Sequence, residues 1–260
     1  MLDNIPVVIL AGGLGTRLRE ETETKPKPMV EIGGYPILWH LMKYYAQFGT
    51  KEFVICLGYK GEKIKEFFLN YNNWHSSMSI NLKSGKVDWH HTNHSENWTV
   101  HLLDTGELTM TGGRVAQAAR FLSNRRFMAT YGDGLSTVDI RALVDSHVNS
   151  GLRATVTAVR PPARFGGLEI EDGRVKTFKE KPQIGEGWIN GGFMVFEPGI
   201  ESIIPTDDTI LEHAPLETLA QIGQLNSFQH LGFWQPMDTL RDINFMREVW
   251  GQGTAPWKCW

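Results

Sequence analysis

The sequence has little cysteine, no long hydrophobic run and no excess of basic residues. Cys56 and Cys259 are the two cysteines in 260 residues, too few for a disulfide framework and typical of a reducing compartment. No stretch reaches the ~18 apolar residues of a membrane-spanning helix, and the first residues do not resemble a secretion signal. The net charge of −3 provides no basic field for nucleic acid or membrane surfaces. We therefore expect a cytoplasmic protein with no nucleic-acid or membrane partner.

Segments typical of strands and helices alternate along the first part of the chain. Val7–Leu10 is a short aliphatic run that ends at glycines, as buried parallel strands do. Pro36 opens a run with helical apolar spacing that ends at Gly49, residues 52–58 are typical of a strand, and residues 61–71 of an amphipathic helix. This alternation predicts an α/β fold with a doubly wound, mostly parallel sheet.

The remaining elements extend this pattern. Residues 77–101 are short, polar segments that predict hairpins inserted at the edge of the sheet. Further strands are predicted at 98–106, 126–134, 154–159, 166–171, 173–181 and 188–196, and helices at 140–149, 210–222 and 239–250. We find no internal repeat and no long linker. One domain over 1–260 is therefore expected, with a nucleotide-type half to about residue 150 and a mixed-sheet half over about 151–260.

A glycine-rich loop, L-A-G-G-L-G-T-R, follows the first strand at residues 10–17. It does not match G-x-G-x-x-G, because Leu18 occupies the third glycine position, and no Gly-Lys-Ser/Thr closes a P-loop. A glycine turn at the carboxyl end of a parallel strand still lets backbone N–H groups converge on an anion. These residues alone leave a plain turn and a binding site equally open.

The loop and the K-P-K-P-M that follows it resemble the signature of the sugar-phosphate nucleotidyltransferases. Six further motifs occur in order: D-T-G-x-x-x-x-T-G-G-R at 104–114, T-Y-G-D-G at 130–134, R-F-G-G-L at 164–168, F-K-E-K-P at 178–182, I-N-G-G-F at 189–193 and G-F-W-Q-P-M-D-T-L-R-D at 232–242. The resemblance covers nearly the whole chain and is greatest to the cytidylyltransferase branch. It implies a Rossmann-like doubly wound mixed sheet with a small edge β insertion and a C-terminal sugar-binding half that also serves oligomerisation.

The resemblance implies transfer of a cytidylyl group from CTP to α-D-glucose 1-phosphate, which yields CDP-glucose and pyrophosphate. The sugar phosphate, whose second pKa is ~6, is an anion at neutral pH, so no general base is required. Catalysis must then come from positioning and from neutralising phosphate charge, and Mg²⁺ is the implied cofactor. A homo-oligomer is also implied, with a hexamer as one candidate.

The resemblance assigns roles to individual residues of these motifs. It implies that Lys27 and Arg17 are the catalytic residues. Lys27 would lie near the α-phosphate, with Lys25 as the surface alternative, and Arg17 would bind the phosphates of the nucleotide. Asp133 and Asp238 are the implied metal ligands. Asp238 also precedes the helix predicted at 239–250 and could instead be only its N-cap. The implied substrate-binding residues are Leu10, Ala11, Gly12, Gly13, Leu14, Gly15, Thr16 and Gly132 around the nucleotide, Thr109 and Arg114 at the triphosphate, and Glu180, Lys181, Asn190, Gly191 and Gly192 at the sugar phosphate.

Four other interpretations stay open at this point. Uridylyl or thymidylyl transfer would use the same residues, since residue chemistry alone does not choose the base. A regulatory module that binds sugar nucleotides would share the fold, although a degraded copy is expected to lose Lys27 or an aspartate. The triplet D-T-G at 104–106 matches aspartic proteases, which need two such carboxylates. A polar cluster formed by Asp88, His90, His91 and His94 could bind a metal ion.

Overall fold

The first strand is buried on both of its faces. In the computed structural model of the chain, Val7 and Ile9 of β1 (Val7–Leu10) pack into one hydrophobic core, and Val8 and Leu10 pack into a second. Because successive side chains of a strand point to opposite faces, a sheet with a core on each face follows. The structure describes residues 2–13, 15, 18–73, 76–90, 96–161, 167–171, 174–179 and 187–260.

The other elements are numbered in chain order. The strands are β2 (Glu31–Ile32), β3 (Tyr35–Pro36), β4 (Glu52–Leu57), β5 (Ser77–Asn81), β6 (Lys86–His90), β7 (Thr99–Asp104), β8 (Phe127–Tyr131), β9 (Gly134–Ser136), β10 (Ala154–Val159), β11 (Gly167–Glu171), β12 (Arg174–Lys179), β13 (Ile189–Phe196), β14 (Leu225–His230) and β15 (Trp234–Pro236). The α-helices are α1 (Arg19–Thr22), α2 (Ile37–Gln47), α3 (Gly61–Leu69), α4 (Thr111–Phe121), α5 (Ile140–Ser150), α6 (Ala214–Gln221) and α7 (Leu240–Gly251). Short 3₁₀ turns occur at Leu2–Asn4, Lys27–Met29 and Ile200–Ile203.

The main sheet has seven strands in the order β14–β10–β13–β8–β1–β4–β7. Its neighbouring strands are parallel except at β13, which is antiparallel to both β10 and β8. The hairpin β5–β6 pairs within itself, and its residues are exposed. The predicted α/β fold with a mostly parallel mixed sheet and a small β insertion is therefore confirmed.

Helices cover both faces of this sheet. On one face, α2, α5 and α7 bury residues such as Leu41, Leu143 and Ile243 in the first core. On the other face, α4 and α6 bury Val115 and Leu219 in the second core. Covering both faces removes the aliphatic strands from water, which explains why these strands lack polar alternation. No helix formed by the described residues is long and apolar enough to cross a membrane.

The structure corrects several predicted boundaries. Pro36 ends β3 and caps α2, so that helix begins one residue later than the apolar spacing predicts. The helix predicted from residue 210 begins at Ala214, because the four residues before it form a turn. Sequence reasoning misses β14, in which polar and apolar residues are mixed, although this strand pairs in parallel with β10 at the sheet edge.

A buried histidine makes the stability of the fold depend on pH. His40 of α2 is fully buried, and its Nε2 lies 2.8 Å from the carbonyl oxygen of Ile32. Burial lowers the pKa of His40 from 6.5 to about 4. The folded state disfavours the protonated ring, whereas the unfolded state accepts the proton at the usual pKa. The free energy of unfolding therefore has its full value above pH 6.5 and decreases as the pH falls from 6.5 towards 4.

We expect the free energy of unfolding to fall by up to about 3 kcal/mol between pH 7 and pH 4 because of His40 alone. Urea unfolding of the wild type and of His40→Gln at both pH values measures this contribution. His213→Gln, at an exposed position, is the control. A His40→Gln variant with the same pH dependence as the wild type would contradict the assignment.

Candidate active site

A cavity of about 500 Å³ opens where the central strands β1 and β8 end. In open α/β sheets, ligands bind beyond the carboxyl ends of the parallel strands, and this cavity has that position. The described residues that line it are Leu10, Ala11, Gly12, Gly13, Gly15, Lys27, Pro28, Thr109, Met110, Thr111, Arg114, Thr130, Tyr131, Gly132, Asp133, Gly134, Asn190, Gly191, Phe193, Trp234, Pro236 and Asp238.

Most of the predicted site residues meet in this one cavity. Those that line it are Leu10, Ala11, Gly12, Gly13, Gly15, Lys27, Thr109, Arg114, Gly132, Asp133, Asn190, Gly191 and Asp238. Gly192 packs instead against the ring of Tyr131, itself a lining residue. Leu14, Thr16, Arg17, Glu180 and Lys181 lie outside the described residues. The convergence is a structural observation, and the individual roles stay predictions.

Lys27 lies between the two predicted metal ligands. Its Nζ donates hydrogen bonds to Asp133 Oδ2 at 2.7 Å and to Asp238 Oδ1 at 2.8 Å. A 3₁₀ turn flanked by Pro26 and containing Pro28 fixes the backbone at Lys27, because proline restricts its own φ and the conformation of the residue before it. The three charged groups therefore form one cluster on the cavity wall.

The pairing of two short strands brings the aspartates together. Strand β9 begins directly after Asp133, and β15 ends two residues before Asp238. These strands are antiparallel, with Gly134 opposite Pro236, and Met237 N donates to Asp133 O at 2.8 Å. Residues more than 100 positions apart in the chain thus become neighbours.

Lys27 carries its charge at neutral pH. Burial alone would lower the pKa of its ammonium, but the attraction of Asp133 and then Asp238 outweighs burial, so the pKa is raised above 10.5. The side chain is 11% exposed, which makes this cation a fixed part of the wall rather than a mobile surface group. Lys25 differs, since its Nζ pairs with Glu31 at 3.2 Å on the surface.

Asp238 does not cap the helix that follows it, so the interpretation of this residue as a cap is wrong. The N-cap of α7 is Thr239, whose Oγ1 accepts from Asp242 N at 3.3 Å. Asp242 Oδ2 in turn accepts from Thr239 N at 2.8 Å, which completes a capping box. The Asp238 carboxylate points instead to Lys27.

Arg114 lies behind the glycine loop and is 3% exposed. Its Nη1 donates to Leu57 O at 2.7 Å and to Thr105 Oγ1 at 2.5 Å, and its Nη2 donates to Gly12 O at 3.1 Å and Glu107 O at 3.2 Å. The resemblance predicts a contact to the triphosphate, whereas these donors bind oxygens of the protein itself. In this structure the guanidinium joins the loop to the ends of two strands.

The geometry at Gly12 explains one of the three loop glycines. A Cβ at this position would lie 2.1 Å from Arg114 Cζ, so an alanine would displace the guanidinium. We expect Gly12→Ala to lower the free energy of unfolding by about 1–3 kcal/mol, the usual cost of overpacking. Thermal unfolding measures the change. Gly13→Ala is the matched control, because among the described residues nothing lies within 4 Å of its Cβ. Equal destabilisation of the two variants would contradict the account.

The structure gives other roles to residues of the D-T-G triplet and of the polar Asp and His cluster. Asp104 of the D-T-G triplet is 75% exposed and lies 3.9 Å from Lys65, while Thr105 supports Arg114. In the polar cluster, Asp88 pairs with Lys86, and His90 Nε2 lies 2.9 Å from Ser79 Oγ. His91 and His94 lie outside the described residues. Among the residues that the structure describes, no group of three or more His, Cys, Asp or Glu side chains could hold a metal ion.

Sequence reasoning does not single out several residues of the cavity. They are Pro28, Met110, Thr111, Thr130, Tyr131, Gly134, Phe193, Trp234 and Pro236. Each lies inside a motif already quoted and within four residues of a predicted site residue, which is the signal that could have identified it. Trp234, for example, donates from Nε1 to Gly191 O at 2.7 Å and so holds the opposite wall.

Comparison with known proteins shows the family to which the chain belongs. The family model described as Nucleotidyl transferase matches residues 6–222, and the chain belongs to this family. It is 52% identical over 254 residues to glucose-1-phosphate cytidylyltransferase of Salmonella typhi, covering 97% of this chain and 98% of that protein. It is 43% identical to the probable glucose-1-phosphate cytidylyltransferase of Bacillus subtilis, covering 97% and 99%. The crystal structure of HddC from Yersinia pseudotuberculosis is 25% identical, with a TM-score of 0.69, and covers 95% of this chain and 99% of its own.

Proposed function

We propose that this protein transfers a cytidylyl group from CTP to α-D-glucose 1-phosphate, forming CDP-glucose and releasing pyrophosphate. The observation that carries the proposal is the cluster of Lys27, Asp133 and Asp238 on the wall of the cavity. The high identity to relatives that bear this name supports the choice of CTP and glucose 1-phosphate.

The reaction is a displacement at the α-phosphorus of CTP. An oxygen of the sugar phosphate forms the new P–O bond, and the bond to the β-phosphate breaks, with its electron pair leaving on pyrophosphate. Both partners are anions, so the protein must hold them in line against their repulsion. Gly12 and Gly13 line the cavity, and in this proposal their backbone N–H groups donate to the nucleotide phosphates.

The two halves of the chain divide the substrates in this proposal. Segments before about residue 150, including the glycine loop, Lys27 and Asp133, bind the nucleotide. The wall formed by Asn190 and Gly191 binds the sugar phosphate. Assembly of the protein into a homo-oligomer stays a prediction. Lys27 shares its wall with two carboxylates, and its ammonium can donate to a phosphate oxygen that enters the cavity.

Asp133 and Asp238 fit a site for Mg²⁺. Their carboxylates converge within 2.8 Å of a single ammonium, and they are 33% and 23% exposed. Carboxylate oxygens are the ligands that Mg²⁺ prefers, and the ion usually keeps several waters and phosphate oxygens as well. Mg²⁺, when bound, supplies positive charge that neutralises the phosphates. We therefore assign its binding to these two residues.

A pyrophosphate-release assay tests the proposal. Release is expected only when CTP, glucose 1-phosphate and Mg²⁺ are all present, and EDTA should abolish it. CDP-glucose should accumulate in equal amount, as identified by mass spectrometry. Pyrophosphate release that does not require a sugar phosphate, or binding of CTP and CDP-glucose without turnover, would contradict the proposal, and the latter would favour a regulatory module.

A further inference from the structure

Glu212 connects two walls of the cavity without itself lining it. The phenol of Tyr131 donates a hydrogen bond to Glu212 Oε1, and Thr111 Oγ1 donates to Glu212 Oε2 at 2.7 Å. Tyr131 and Thr111 both line the cavity, one at the end of β8 and the other at the start of α4. One half-buried carboxylate therefore binds side chains from two separate elements.

The end of this link at α4 is held rigidly. Leu211 N donates to Thr111 Oγ1 at 2.9 Å, and Gly112 N donates to Thr209 O at 2.9 Å. A Cβ at Gly112 would lie 2.6 Å from Thr209 O, so glycine is required for this close approach. The segment before Glu212 is thus fixed against the first turn of α4, which fixes the carboxylate as well.

The other end of the link supports the opposite wall. The ring of Tyr131 packs against Gly192, where a Cβ would lie 2.4 Å from the ring. Gly192 has a φ of +82° and donates from its backbone N to Asn190 Oδ1 at 2.9 Å. Burial and then the charge of Glu212 raise the pKa of Tyr131, so the phenol stays protonated and donates across the neutral range.

We propose that Glu212 is a positioning residue for the sugar-phosphate wall. It fixes Tyr131, and through Tyr131 the segment Asn190–Gly192, relative to helix α4. The inference rests on the proposed function, because that function assigns this wall to the sugar phosphate. The consequence is specific: the KM for glucose 1-phosphate depends on Glu212, and the KM for CTP does not.

Steady-state kinetics of three variants test the inference. Glu212→Ala and Tyr131→Phe each remove the same hydrogen bond, and each should raise the KM for glucose 1-phosphate about tenfold, the effect of losing one buried bond. Glu212→Gln keeps an acceptor for the phenol and should stay within about threefold of the wild type. Glu217→Ala, at an exposed position on α6, is the control and should match the wild type. The KM for CTP should change less than about twofold in all of them.

The double variant Glu212→Ala/Tyr131→Phe should resemble Glu212→Ala, because that change already removes the hydrogen bond from Tyr131. A purely structural role would instead lower the melting temperature and the active fraction, leaving both KM values unchanged, and this result would overturn the inference. Equal increases in the two KM values would overturn it too. The wild type is assayed first, so absent turnover with glucose 1-phosphate counts against the proposed function before any variant is compared. The variants are then compared on the sugar 1-phosphate that the wild type accepts.

Discussion

Replacement of Lys27 by alanine is expected to lower kcat by about 10²–10³, the effect of removing one preorganised cation or donor from a transition state. The physical reason is the position of its Nζ, which is held at 2.7 and 2.8 Å from Asp133 and Asp238 on the wall where we propose that the phosphates bind. The removal of this ammonium leaves the developing negative charge with one less fixed partner. Initial rates at saturating CTP and glucose 1-phosphate measure the loss.

Lys25→Ala is the matched control for this experiment. Lys25 stands two residues away, and its side chain is 28% exposed and paired with Glu31 on the surface. Surface pairs of this kind contribute about 0–1 kcal/mol to stability, so this variant should keep nearly full activity. If the two variants lost activity equally, the ammonium of Lys27 would have no special role.

Asp238→Asn is expected to abolish most activity, by about 10² or more in kcat, while the fold remains. The substitution keeps the size of the side chain and removes its charge from the predicted magnesium site. Thr239 and Asp242 provide the cap of α7, so the helix does not depend on Asp238. The melting temperature should therefore change by only a few degrees. Initial rates and thermal unfolding of the same preparation measure both effects.

Asp133→Asn should behave in the same way. The double variant shows whether the two carboxylates act as one unit or independently. If both carboxylates act as one unit, the double variant loses much less than the product of the single losses. Higher Mg²⁺ should restore part of the activity of each single variant, since mass action refills a weakened site. A fully active Asp238→Asn enzyme would exclude this residue from the metal site.

Much of the fold could be predicted because its strands are buried on both faces. Val7–Leu10, a run of aliphatic residues, and Ala154–Val159, a run of alanine, threonine and valine, have the predicted bounds, because β-branched and apolar runs of this length favour buried strands. Strand β14 could not be predicted in this way, since it lies at the sheet edge, none of its residues is fully buried, and polar and apolar residues are mixed in it. Its position depends on β10, which is distant in the chain.

The candidate site shows the same division between local and distant information. The family motifs identify Lys27, Asp133 and Asp238, but the contact between them depends on the β9–β15 pair, which no local pattern predicts. Arg114 illustrates the converse, because the family resemblance predicts a phosphate contact while its partners are backbone carbonyls and one hydroxyl. The cap at Thr239 was accessible from sequence, since the spacing of Thr239 and Asp242 is that of a capping box.

The most direct test of the central claim is a comparison of kcat/KM for CTP and UTP at a fixed concentration of glucose 1-phosphate. Cytosine presents an exocyclic amine and an unprotonated ring nitrogen where uracil presents a carbonyl and an N–H. A site built for one pattern leaves buried groups unpaired with the other, which discriminates by at least about 10². We predict a preference for CTP of this size, with CDP-glucose as the product. Comparable values of kcat/KM for the two nucleotides would contradict a site specific for cytosine and leave only the nucleotidyltransferase class.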